Sequence, residues 1–115
     1  MKRDYRLYLD DIIEAIGKIE KYTKGLTLDV FREDDKTIDS VIRNFEIIGE
    51  AAKNVPESMR KEYPKLPWKE MAGMRDKLIH EYFGVKTDIV WKTIKERLSE
   101  VKVLSKEVLE RMEKD

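Results

Sequence analysis

Apolar residues recur in this chain at intervals of three and four, and that spacing commits it to helices. Tyr5, Leu9, Ile12, Ile16 and Ile19 fall on one side of a helical wheel, while Asp10, Glu14, Lys18 and Lys21 take the other. The pattern predicts a first helix over about Arg3 to Lys24, capped at its C-terminus by Gly25. A second stripe of Ile38, Val41, Ile42, Phe45, Ile48 and Ala52 begins where Asp35 offers an N-cap and ends near Val55, before Pro56. No segment alternates apolar and polar residues as a half-buried strand does, and no repeat recurs along the chain.

The rest of the chain follows the same period. TLDVFREDD reads as a short turn between the first two helices, and PESMRKEYPKLP, which holds all three prolines, as a connector with room for one short helix. Pro67 suits the first turn of a third helix, WKEMAGMRDKLIHEY, which should stop at Gly84. Thr87 or Asp88 can cap a long fourth helix with the stripe Val90, Ile94, Leu98, Val101, Leu104, Val108 and Met112. These elements predict an all-α, four-to-five-helix up-and-down bundle, with residues 1–115 forming one domain.

Charge narrows the function classes. Charged residues make up 42% of the chain, against about 25% in ordinary globular proteins, yet Lys+Arg and Asp+Glu balance at 24 each. That balance argues against a nonspecific polyelectrolyte binder. Cys and Gln are absent and Asn occurs only at Asn44 and Asn54, a composition associated with proteins that work hot. Without Cys there is no disulfide framework, thiolate nucleophile or cysteine-ligated metal. No apolar run reaches membrane-span length, and MKRDYRLYLDD lacks the apolar core of a signal peptide, so a cytoplasmic location is expected. The glycines at 17, 25, 49, 73 and 84 are isolated, which gives no phosphate loop and no nucleotide cofactor motif.

The third helix breaks its own pattern. On a wheel, Trp68, Met71, Ala72, Leu78, Ile79 and Tyr82 share one face, and Arg75 stands in the middle of it. A guanidinium placed there must meet a carboxylate from the first or second helix, line a cleft, or face an anion from outside. His80, the only histidine, lies about 140° round an ideal helix from Arg75, so the two share no face of one straight helix. They can converge if the arginine curls round, if the last turn distorts toward Gly84, or if two copies of the helix meet. Asp76 is one turn before His80, where a carboxylate can hold an imidazole in one tautomer, and Gly73 leaves a bare patch beside the histidine. A solvated histidine near a helix C-terminus and a core Tyr82 are the plain alternatives.

Arg75, His80 and Tyr82, in RDKLIHEY, resemble the R-x4-H-x-Y motif of HepT-like toxins in the HEPN superfamily. LPWKEMAGMRDKLIHEYFGV with the following VWKTI, and the upstream NFEIIGEAAKNVP, are similar to that family too. The position after the arginine is often Asn in such proteins and is Asp76 here. The resemblance implies a HEPN-like bundle and a homodimer with both motifs at a shared cleft. It implies a toxin-antitoxin system in which a ribonuclease is paired with an MNT nucleotidyltransferase antitoxin that transfers AMP to the motif tyrosine, Tyr82.

The residues allow that chemistry. RNA cleavage without a metal needs a base for the 2′-OH proton, a cation for the charge growing at phosphorus, and an acid for the leaving 5′-oxygen. His80 and Arg75 can supply the first two roles, with Asp76 supporting His80. One histidine without clustered Asp or Glu makes a poor metal set. Between Met59 and Ile79 six basic residues face three acidic ones, and Tyr63 and Trp68 lie among them, as a surface for single-stranded RNA would require. DVFREDDKTID can attract a basic partner or cap the second helix. That helix also carries a face of Ser40, Asn44, Ile47 and Ala51, suited to a dimer seam or to a second wall of the bundle. The alternative function is a non-catalytic helical adaptor for a nucleotidyltransferase, with Arg75 in a structural ion pair.

Overall fold

The computed structural model describes residues 4–80 and 87–114, without the side chains of residues 77–80. Among the described residues the order is α1 (Tyr5–Thr23), α2 (Leu28–Arg32), α3 (Asp35–Asn54), α4 (Glu57–Glu62), α5 (Trp68–His80), α6 (Thr87–Glu96) and α7 (Leu98–Lys114). The all-α expectation holds, and α1, α3, α5 and the α6–α7 arm are the long pieces of the bundle. Helix α3 packs between α1 and α5, while α7 lies against α1 and α6 against α2. Among the described residues no helix is long and apolar enough to cross a membrane.

Each long helix forms because one stripe of it is apolar. Leu9, Ile12, Ile16 and Ile19 of α1 and Val41, Ile42, Phe45, Ile48 and Ala52 of α3 are buried in one core, as their spacing predicts. Helix α1 starts at Asp4, whose carboxylate accepts from the Arg6 backbone N–H at 3.0 Å, and Gly25 takes the left-handed conformation (φ 78°) just past its end.

Several boundaries differ from expectation. Asp34, not Asp35, caps α3: its side chain accepts from Thr37 N at 3.0 Å and from Thr37 Oγ1 at 2.7 Å, leaving Asp35 in the first turn. TLDVFREDD contains α2, which Thr27 caps and which drives Phe31 into the core. Helix α5 begins at Trp68, one residue after Pro67. The expected end of that helix at Tyr82 and Gly84 lies outside the described residues.

The long fourth helix is two helices meeting at Arg97. Helical hydrogen bonds continue on both sides, Arg97 N to Thr93 O at 3.0 Å and Val101 N to Arg97 O at 3.1 Å. The two segments serve different neighbours. Helix α6 packs Trp91 against Phe31 with the rings tilted and their centroids 5.0 Å apart, and joins α2 through Arg32 and Asp88; α7 reaches α1 through Lys102 and Glu20 at 2.8 Å. At the junction Arg97 is drawn to Glu70 of α5 at 2.9 Å. On α7 the fully buried position belongs to Ser105, with Leu104 only partly buried.

Candidate functional site

Arg75 is placed by a backbone contact. At the crossing of α3 and α5, a Cβ built on Gly49 would collide with the Cβ of Arg75 and lie 2.9 Å from the Met71 carbonyl oxygen. Only glycine lets the helices meet this closely. The contact fixes the root of the arginine side chain, which is 27% exposed. It therefore lines the rim of the bundle rather than the sealed core, although Trp68 and Met71 on the same helix are buried.

The tip is held by carboxylates from two helices. Arg75 Nε lies 2.5 Å from Glu50 Oε2 on α3, and Nη1 donates to Asp76 Oδ1 at 3.3 Å. The sequence anticipated a carboxylate from the first or second helix without identifying it; Glu50 is that residue. The pair leaves further N–H groups of the guanidinium fork for other acceptors. Half-exposed ion pairs contribute only about 0–1 kcal/mol, so the main effect of Glu50 is to orient the guanidinium. Beside it runs a polar groove of about 350 Å³ where Arg75, Glu50 and Asn54 face Tyr8 and Asp11 of α1.

Asp76 is held from α3 as well as from its own helix, and its expected contact with His80 lies outside the described side chains. Lys53 of α3 donates to its Oδ1 at 3.2 Å, so this oxygen is shared by Lys53 and Arg75. The Lys53 hydrogen bond, helped by the charges of Lys53 and Arg75 and opposed by partial desolvation, holds the Asp76 carboxyl below its ordinary value of 3.8. The backbone of α5 stays helical through His80, which keeps the residue about 140° round from Arg75. The His80 side chain and all of Tyr82 lie outside what the structure describes. Gly73 is exposed, and a Cβ there would meet nothing within 4 Å, which leaves that stretch of α5 open.

Glu50 and Lys53 were missed by sequence reasoning. Their signal lies in NFEIIGEAAKNVP, where a carboxylate follows a helical glycine and a lysine follows three positions later on the same side. The expected stacking aromatics are corrected outright. Trp68 is 6% exposed and Tyr63 8%, and Trp68 Nε1 donates to the Tyr63 carbonyl at 2.9 Å, so neither ring is available to a base. Arg60, counted with the basic surface, donates to the carbonyls of Val55 at 2.8 Å and Lys53 at 3.2 Å and so closes the C-terminus of α3. On the second face of α3, Asn44 and Ala51 are buried within the chain, while Ser40 and Ile47 remain partly exposed.

A family model described as Ribonuclease HepT-like matches residues 12–108. The chain is 51% identical over 102 residues to a probable ribonuclease HepT of Thermococcus cleftensis, covering 89% of this chain and 93% of that one. It is 50% identical over 90 residues to a putative RNase of Methanocaldococcus jannaschii, covering 78% of this chain and 74% of the relative. A putative RNase of Caldanaerobacter subterraneus is 43% identical over 106 residues, covering 92% and 95%. No solved structure matches the chain.

Proposed function

We propose that this chain, which belongs to the HepT-like ribonuclease family, is a metal-independent endoribonuclease and the toxin of a pair whose antitoxin is an MNT-type nucleotidyltransferase. The observation that carries the reading is Arg75: a partly exposed guanidinium, rooted by Gly49 and oriented by Glu50, on the helix whose backbone bears His80. In the reaction His80 takes the proton of a 2′-OH, the 2′-oxygen attacks phosphorus, and Arg75 stabilises the charge that builds on the phosphoryl oxygens. The P–O5′ bond breaks, the 5′-oxygen receives a proton from an imidazolium, and a 2′,3′-cyclic phosphate remains.

The angular separation of Arg75 and His80 on α5 favours a site assembled from two copies of the chain, in which His80 of one copy, beside Arg75 of the other, takes the 2′-OH proton and then returns it to the leaving 5′-oxygen. Tyr82 is the proposed acceptor of AMP. A bulky anion added there would occupy the space and potential that an RNA phosphate needs.

A second reading, the non-catalytic adaptor, draws on the same ion pair: Arg75 bound to Glu50 is also what a purely structural arginine looks like. Incubating total cellular RNA with the wild type and with His80→Ala, each with and without chelator, separates the two. The ribonuclease reading expects wild-type cleavage that survives the chelator and is lost in a folded His80→Ala protein. Intact RNA in every wild-type lane establishes the adaptor. Co-expression with the cognate nucleotidyltransferase should add AMP to Tyr82, seen as a mass increase on its peptide; an unmodified tyrosine refutes that part alone.

A further inference from the structure

We propose that Lys53 is a second phosphate-binding residue for RNA, and that Lys53 and Arg75 form one two-cation subsite which the Asp76 carboxylate fills in the free protein. The inference rests on the ribonuclease reading of Arg75. Its basis is a convergence: Lys53 Nζ lies 3.2 Å, and Arg75 Nη1 3.3 Å, from the same oxygen, Asp76 Oδ1. The two cations come from different helices, α3 and α5, so helical spacing alone does not bring them together. The close crossing at Gly49 does.

An anion therefore already sits between two cations at the rim of the bundle, and it is an internal one. Charge-assisted N–H···O bonds close to about 2.7–2.9 Å when geometry allows. The contacts to Oδ1, at 3.2 and 3.3 Å, are longer than that. The two non-bridging oxygens of an RNA phosphate can reach both donors at once. Lys53 and Asp76 are each half-exposed, and an ion pair of that kind holds weakly against a competing anion. The carboxylate keeps the cations paired until RNA arrives, and then yields its place.

The test is equilibrium binding of a single-stranded 2′-O-methyl RNA, which lacks the attacking hydroxyl, to the full chain over a range of salt. Lys53→Met should weaken binding about tenfold, the effect of losing one charge-assisted hydrogen bond, and reduce the slope of log K against log salt by about 0.7. Lys53→Arg should restore both. Asp76→Asn should tighten binding several-fold. Because Lys53 is half-exposed, unchanged circular dichroism and melting temperature are expected for its variants.

If Lys53→Met binds like the wild type while Arg75→Met does not bind, the subsite is Arg75 alone and the inference is wrong, with the ribonuclease reading untouched. If Asp76→Asn weakens binding, the carboxylate supports the site rather than occupying it, which also overturns the proposal. Absence of wild-type binding at any salt overturns it as well. Cleavage of the same sequence as unmodified RNA then shows whether the ribonuclease reading falls too.

Discussion

Helix α3 has two flanks built by different physics. Against α1 it contributes to a continuous core of aliphatic and aromatic side chains; toward α5 that core continues through Phe45 and Ile48 to Met71, and beside it lie a bare glycine and two charged groups, Glu50 and Lys53. The first flank gains stability from buried apolar area. The second gives up side-chain volume at Gly49 so that Arg75 can be set in place and held by carboxylates. Stability and chemistry thus draw on different residues of one helix, and substitutions should separate them.

The largest effect belongs to the α1 flank. Ile16→Ala removes a fully buried side chain and should cost about 2–5 kcal/mol in denaturant unfolding, while leaving RNA cleavage intact at temperatures where the protein remains folded. Gly49→Ala should cost less, about 1–3 kcal/mol from overpacking, but should depress cleavage because it displaces Arg75. Gly17→Ala is the control: its Cβ would meet nothing within 4 Å, so removing a helical glycine should stabilise by about 0.5–1 kcal/mol. If Gly49→Ala behaves like Gly17→Ala, the crossing is not tight and the distinction between the flanks collapses.

Ser105 sharpens the comparison from within the core. Its hydroxyl is fully buried on α7 and finds no hydrogen-bond partner among the described residues. Ser105→Ala should raise stability by about 1 kcal/mol, seen as a higher unfolding midpoint, with cleavage unchanged.

The smallest effect is in acid. Asp34 and Asp76 both have carboxyls held below their ordinary value of 3.8, by the Thr37 side-chain hydrogen bond and by the Lys53 hydrogen bond respectively. A depressed folded value means that the unfolded chain takes up protons first as pH falls. Their contribution is complete above the ordinary carboxylate range and is lost as pH drops through the lowered values. Melting temperature should be flat from neutrality to about pH 5 and fall below about pH 4, and Asp76→Asn should flatten part of that fall.

How much of this was legible in the sequence follows from where each piece of information resides. Stripes such as Ile12, Ile16 and Ile19 are local, so the helices and their buried faces could be read directly. Arg75 stood out because it violated a stripe. Its partner did not, since Glu50 is an ordinary exposed residue on its own helix and becomes special only when Gly49 lets α5 approach. Trp68 was readable both as core and as a stacking surface; burial and its bond to the Tyr63 carbonyl decide for the core. The junction at Arg97 interrupts no apolar stripe. It arises because α6 and α7 pack on different neighbours, a tertiary fact absent from the residue pattern.

The central claim, that Arg75 and His80 act together from two copies of α5, is tested most directly by complementation. Arg75→Ala and His80→Ala proteins are each assayed for RNA cleavage in the presence of chelator, then assayed again after being mixed under conditions that exchange subunits. Each variant alone should be inactive, and the mixed dimer should regain cleavage because it contains one site with an arginine from one copy and a histidine from the other. Mixed dimers that form and still leave RNA intact would contradict the shared site.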